Sequence, residues 1–246
     1  MRQVLVALAL ASAMARAADR PPVLRVYGPG GPLAPLQECA RSYANARGVA
    51  VRVDGGPEQR WWEFAERDAD VVFESAEYML ADFMRRHPGF LDPETRISLF
   101  DRPAAILVRK GNPKAIRGLE DLARPGVRLL DVAGAGQAGL WEDLAGRKGL
   151  IPALARNVAA SFANTQEAIA AWRADATLDA WIAFESWHHA APQDTDVVRL
   201  PDEDRILRGT PAAVAHRSSQ RALALDFLAF ARGEECHAVL RRAGWR

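Results

Sequence analysis

Residues 23–46 read VLRVYGPGGPLAPLQECARSYANA, and how the first part of this stretch becomes the second decides the fold. Val23 to Tyr27 is a short β-type run, whereas Leu33 to Ala46 repeats apolar residues at Leu36, Cys39 and Tyr43, the spacing of a helix. Between them lie three glycines and two prolines, Gly28-Pro29-Gly30-Gly31-Pro32. Glycine lets backbone approach another group closely, and proline fixes the direction of approach. A strand that enters a helix through such a loop presents unpaired N–H groups with partial positive charge, which suit an anion.

The same alternation continues along the chain. Val49 to Val53 predicts a strand, Glu58 to Arg67 a helix, Asp70 to Phe73 a strand and Ala76 to Arg86 a helix. A long β-prone stretch, Ile97 to Arg109, is interrupted by Pro103. A second series follows: strand Val127 to Val132, helix from about Ala138 to Arg147, strand Val158 to Phe162, helix Gln166 to Arg173 and strand Ala180 to Phe184. Asp196 to Leu200 and Arg205 to His216 read as extended, ahead of two C-terminal helices. Repeated βα winding predicts parallel sheet covered on both faces, with ligands at the carboxyl ends of the strands. The two long extended stretches bracket the second series, so the chain leaves one α/β lobe, builds another and returns. The first lobe then takes residues 18–103 and 207–246, and the second takes 104–206. Two lobes joined by two crossing segments make a hinged clam suited to a small molecule.

Glycine-rich turns recur at the proposed strand ends. Gly55-Gly56-Pro57 precedes one helix and Gly134-Ala-Gly136-Gln-Ala-Gly139 another. The latter is a literal G-x-G-x-x-G, but a dinucleotide site needs an acidic residue at the end of the next strand, and Asn157 to Asn164 holds none. What remains is the anion-attracting geometry of the turn itself. Arg102 sits at the first crossing, where its guanidinium could reach a ligand as a bidentate partner or pair with Asp101 at the surface. Ser75 and Asn164-Thr165, just past strands, could donate to a ligand oxygen or cap the following helix.

The ends and the charge set the compartment. Residues 1–17 carry Arg2, an apolar run from Val4 to Met14 and Ala15-Arg16-Ala17, the pattern of a secretory signal cleaved after Ala17. The apolar run is too short to span a bilayer. Its removal takes Arg2 and Arg16 from 32 basic residues against 31 acidic ones. Such a balance gives no electrostatic case for nucleic acid or an anionic membrane surface, and a periplasmic location is expected. The two cysteines, Cys39 and Cys236, suit either a disulfide or two small buried side chains, since sequence cannot supply their separation.

No serine-hydrolase elbow, zinc-protease helix or C-x-x-C pair occurs. His188-His189 are adjacent on a helical pattern, point about 100° apart and rarely share an ion. No catalytic group, metal or cofactor is therefore expected. The seven tryptophans fall in helical or strand patterns, where core packing is the default.

Longer strings carry a family resemblance. Tyr27-Gly-Pro-Gly-Gly-Pro32, Gly56-Pro57 with Trp61 or Trp62, Asp68 to Phe73, Arg102 to Val108, Lys110-Gly-Asn-Pro113, Gly134 to Asp143, Asp179 to Ile182 and Gly244-Trp245 follow in order. Together they resemble the accessory colonization factor AcfC family, extracellular solute-binding proteins similar to the sulfate- and molybdate-binding components of ABC transporters. The resemblance implies a type 2 periplasmic-binding fold, α/β in class, with a small anionic ligand and a membrane permease as partners. It implies a site at Gly30, Gly31, Pro57, Gln59, Ser75, Arg102, Gly136, Gln137, Ala138, Asn164 and Thr165. Departures fall at Ala138, where relatives often carry a hydroxyl, at Glu74-Ser75-Ala76-Glu77 in place of a hydroxyl-rich turn, and at Glu185. A secreted colonization or surface-interaction protein with a vestigial cleft, dimerising or meeting a host, is the alternative expectation. An exported hydrolase or transferase using Glu74, Glu77 or Glu185 as a base is a third.

Overall fold

The fold follows from strands whose two faces are both apolar. The computed structural model describes residues 22–246; the expected signal segment 1–17 and its expected cleavage after Ala17 lie outside the described residues. The first half comprises β1 (Val23–Gly28), α1 (Leu33–Arg47), β2 (Ala50–Gly55), α2 (Glu58–Asp68), β3 (Val71–Phe73) and α3 (Glu77–Arg86). Alternation along these strands splits the core into two layers. Leu24, Val26, Val71 and Phe73 pack under α1, whereas Tyr27 and Val72 face Trp61 of α2 and Leu80 and Phe83 of α3.

The chain then crosses. β4 (Ile97–Arg109) is one 13-residue strand, continuous through Pro103, which corrects the expected interruption. Proline is tolerated because the ladder resumes one residue on, where the Ala104 N–H donates to the Ile206 carbonyl at 2.8 Å. The second half holds α4 (Leu119–Leu122), β5 (Leu129–Val132), α5 (Leu140–Arg147), α6 (Ile151–Asn157), β6 (Val158–Phe162), α7 (Thr165–Ala174), β7 (Ala180–Phe184), α8 (Glu185–Ala190) and β8 (Thr195–Arg199). β9 (Leu207–Val214) returns to the first half and leads into α9 (Arg221–Ala231) and α10 (Glu234–Arg242). The second half again has two layers, one with Ile106, Ile182 and Phe184, the other with Leu107, Trp172 and Trp181. Helices α4 and α6 were absent from the sequence pattern, being too short for a periodic signal.

Strand order is β2-β1-β3-β9-β4-β7-β5-β6, with β8 on the other edge of β4. β1 runs parallel to β2 and β3, and β5 parallel to β6 and β7. The expectation of wholly parallel sheet is corrected at the crossings. β9 is antiparallel to β3 and β4, and β4 is antiparallel to β7 and β8. A chain that leaves and returns must run one way out and the other way back, so the crossing pair is antiparallel. Among the described residues no helix is long and apolar enough to cross a membrane.

Cys39 of α1 and Cys236 of α10, both fully buried, form a disulfide with Cα atoms 5.1 Å apart and a sequence separation of 197. Beside it, the Tyr43 hydroxyl donates to Asp226 at 2.9 Å, and Arg47 pairs with the same carboxylate. Closing so long a loop constrains the unfolded chain strongly. Replacing both cysteines by alanine should cost about 2–5 kcal/mol, a fall in thermal midpoint of roughly 5–15 °C. An unchanged midpoint in calorimetry would show that the link constrains nothing.

Candidate functional site

The strand-end loops of both halves meet around Arg102, near the middle of β4. The residue is 0% exposed. Its Nη2 donates to the Ser75 carbonyl, past the end of β3, and its Nη1 to the Ala135 carbonyl at 3.5 Å, past the end of β5. The guanidinium lies 4.0 Å from the centroid of the Phe184 ring at the end of β7. Its Nε has no partner, and among the described residues no carboxylate pairs with it. The alternative of a surface pair with Asp101 is therefore not what the fold adopts. Burial pushes the guanidinium pKa down to about 9; the Tyr78 phenol acts against that shift and the nearby Arg208 with it.

The glycines explain how backbone comes so near. Gly136 has φ +80°, and a Cβ there would collide with Arg102 Nη2 and lie 2.7 Å from the Ser75 carbonyl. Any side chain would push the loop off the guanidinium. Its neighbour Ala135 also takes a left-handed φ of 55°, a strained conformation of the kind that clusters at functional sites. From the first half, a point one Cβ out from Gly31 is 3.6 Å from Ser75 Oγ and 4.0 Å from Arg102 Nη1.

Gly31, Ser75, Arg102 and Gly136 thus converge. Gln137 and Thr165 stand behind them and hold the loop: Gln137 Nε2 donates to Thr165 Oγ1 at 3.2 Å, and the Trp181 indole donates to Gln137 Oε1 at 3.0 Å. Ala138 lies beside the Tyr78 hydroxyl, where its backbone, Arg208 and Arg102 draw down a pKa that burial raises. Gly30 is exposed and would touch Gly56. Pro57 and Gln59 stay exposed at the start of α2, and neither is hydrogen-bonded to the Arg102 cluster. Asn164 is exposed and its side chain accepts from the Glu167 N–H at 3.0 Å, so it caps α7.

Sequence reading missed Arg208, Tyr78, Phe184 and Trp187. Arg208 of β9 stands directly opposite Arg102 in the β4–β9 register, so both side chains leave the same face. It pairs with Asp143 of α5 at 2.7 Å and lies over the Tyr78 ring of α3 at 5.8 Å. Alternation within Leu207 to Val214 gives the face of Arg208, but only the register gives its neighbour.

The acidic departures are dealt with locally. Glu185 pairs with Arg199 of β8, which holds its carboxyl below the usual range. Glu77 pairs with Arg96. His188 Nδ1 faces Thr195 Oγ1 at 3.0 Å. Glu74 is buried, and its carboxylate accepts the Ser75 N–H at 3.3 Å. Burial pushes its pKa up to about 7, with Glu58 and Asp82 adding to the rise and Arg86 opposing it.

A carboxyl raised above its ordinary 4.5 favours the fold while protonated, and that contribution disappears as pH rises through about 7. Glu74→Gln should therefore stabilise the protein at pH 8 by about 3 kcal/mol and leave it unchanged at pH 4. Thermal unfolding at the two pH values checks this, and equal shifts at both would reject it.

Comparisons with known proteins follow the same geometry. The family model for bacterial extracellular solute-binding proteins matches residues 24–246. The crystal structure of PEB3 bound to L-phospholactate is 30% identical, with a TM-score of 0.82, covering 91% of this chain and 99% of that one. Peb3 from Campylobacter jejuni gives 30% identity, a TM-score of 0.81 and the same coverage, 91% and 99%. The sulfate-binding protein SubI from Mycobacterium tuberculosis H37Rv, 20% identical, shares the fold with a TM-score of 0.70, covering 91% of this chain and 86% of that one. Comparison with curated protein sequences finds no match. The architecture is the type 2 periplasmic-binding fold, as the motifs of the sequence imply. Sequence and structure agree that the chain belongs to the bacterial extracellular solute-binding protein family.

Proposed function

We propose that this protein captures a small anion between its two halves and delivers it to an ABC-type permease. The observation that carries the reading is the Arg102 guanidinium, fully buried, paired with no carboxylate among the described residues and reached by loops of both halves. Holding a buried cation without a counter-charge costs several kcal/mol. An anion that accepts from the guanidinium fork removes that cost, and it does so only where the two halves are close. Ligand then shifts the open and closed populations toward closure through its differential affinity.

On this reading the lobes divide at residues 18–103 with 207–246, and 104–206, so that β4 and β9 are the hinge. Gly31, Ser75, Arg102 and the Gly136 to Ala138 turn form the site, with Gly30, Pro57, Gln59, Asn164 and Thr165 around it. A sulfate-like oxyanion, a carboxylate or a phosphorylated metabolite fits, and the L-phospholactate in PEB3 supports the last class. The long strings that resemble the AcfC family support a position near that branch. Export by residues 1–17, with release into the periplasm, belongs to the same reading.

Thermal unfolding of residues 18–246, refolded to strip bound ligand, against sulfate, phosphate, molybdate, citrate and phosphoglycerates tests it. A ligand at 100 times its Kd adds about 2.7 kcal/mol, raising the midpoint by roughly 5–10 °C; a flat panel would overturn the reading. With a ligand in hand, Arg102→Ala should weaken binding by at least ~1.5 kcal/mol in calorimetry. Affinity should be level up to about pH 9 and fall by up to tenfold per pH unit above it, because the anion needs the charged guanidinium. Binding that stays level to pH 11 would show that the guanidinium keeps its charge in the site, and unchanged affinity in Arg102→Ala is the result that removes Arg102 from it.

A further inference from the structure

Next to the Arg102 cluster the two halves enclose a mostly apolar cavity of about 190 Å3. Gly31, Ala34 and Pro35 at the start of α1 wall one side, Trp187 and His189 of α8 the other, and Trp245 of the C-terminal tail the third. We propose that this cavity holds the organic body of the anion whose charged end meets Arg102. The ligand class is then an organic phosphate, sulfate or carboxylate bearing a compact apolar or aromatic group, not a bare inorganic oxyanion. The proposal rests on the anion-binding reading above.

Three observations carry it. The cavity and the guanidinium share a wall: the point one Cβ out from Gly31 is 3.8 Å from Trp187 Cζ2 and 4.0 Å from Arg102 Nη1. A group held at Arg102 that extends past Gly31 therefore meets the Trp187 ring. The size suits a ring, since an apolar cavity of about 150 Å3 already admits benzene. The lining also offers aromatic surface: Trp187 and Trp245 both wall the cavity, and Trp245 is only 6% exposed.

The tail that supplies Trp245 is fixed in place. Asp101 and Arg246 exchange backbone hydrogen bonds of 2.8 Å each. Gly244 has φ +83°, and a Cβ there would lie 2.9 Å from the Ser186 Cα. The tail can lie against α8 only because that residue is glycine.

Calorimetry with matched pairs tests the proposal: inorganic phosphate against phenyl phosphate, sulfate against phenyl sulfate, and acetate against phenylacetate. For at least one pair the phenyl compound should bind at least tenfold more tightly and change the tryptophan emission. Ala34→Trp, which fills the cavity mouth, should abolish that advantage and leave the inorganic or acetate partner bound as before. Ala190→Trp, on the opposite wall, serves if the first variant does not fold. Equal affinity within every pair that binds would overturn the cavity proposal and leave the anion reading standing. No binding by any of the six compounds would also overturn the cavity proposal, whereas only the flat panel described above overturns the anion reading.

Discussion

A fully buried guanidinium with no carboxylate paired to it among the described residues is the constraint around which the rest is arranged. Arg102 sits on the strand that both halves share, so its charge belongs to neither half alone. Carbonyl oxygens from Ser75 and Ala135 and the face of Phe184 solvate it in place of water. These are neutral groups, weaker partners than a carboxylate. The loops that supply them must come within hydrogen-bonding distance from opposite sides, and the missing side chain at Gly136 allows this. Had a carboxylate occupied the site instead, the pair would be self-satisfied and would compete with any anion.

The surrounding charges preserve that imbalance. Arg208 stands beside Arg102 but is matched by Asp143, and Glu185 is matched by Arg199. Glu74 shares the loop of Ser75, yet burial favours its neutral form. Among the described residues, Arg102 is thus left without a paired carboxylate where the two halves meet. The strand-end N–H groups contribute fixed partial charge of the same sign.

Much of this was legible in the residues. The glycine turns after Tyr27, Val53 and Val132, the alternation of strand and helix, and Arg102 at the crossing all follow from local pattern. What local pattern does not carry is register and direction. Arg208 becomes the neighbour of Arg102 only through the pairing of β4 with β9, a contact between residues far apart in sequence. The antiparallel sense of the crossing strands is equally invisible to a reading of successive βα units. Gln137 shows a different limit: its place in a glycine turn suggests an outward polar group, but Trp181 and Thr165, both distant in sequence, draw its amide inward. Cys39 and Cys236 were open for the same reason, since their separation depends on how α1 and α10 pack.

That disulfide also sets the order in which the molecule can be completed. Its two ends are 197 residues apart, so the covalent ring it closes contains β4, all of the second half and β9. A polypeptide made from its amino end must hold Cys39 unpaired until Cys236, 197 residues on, has been made. The second half, whose strands β5 to β8 lie wholly within the ring, can fold before the first half is sealed. Once sealed, the molecule survives a cut in any surface loop between α1 and α10 as one covalent particle, because the severed ends stay tied through the first half.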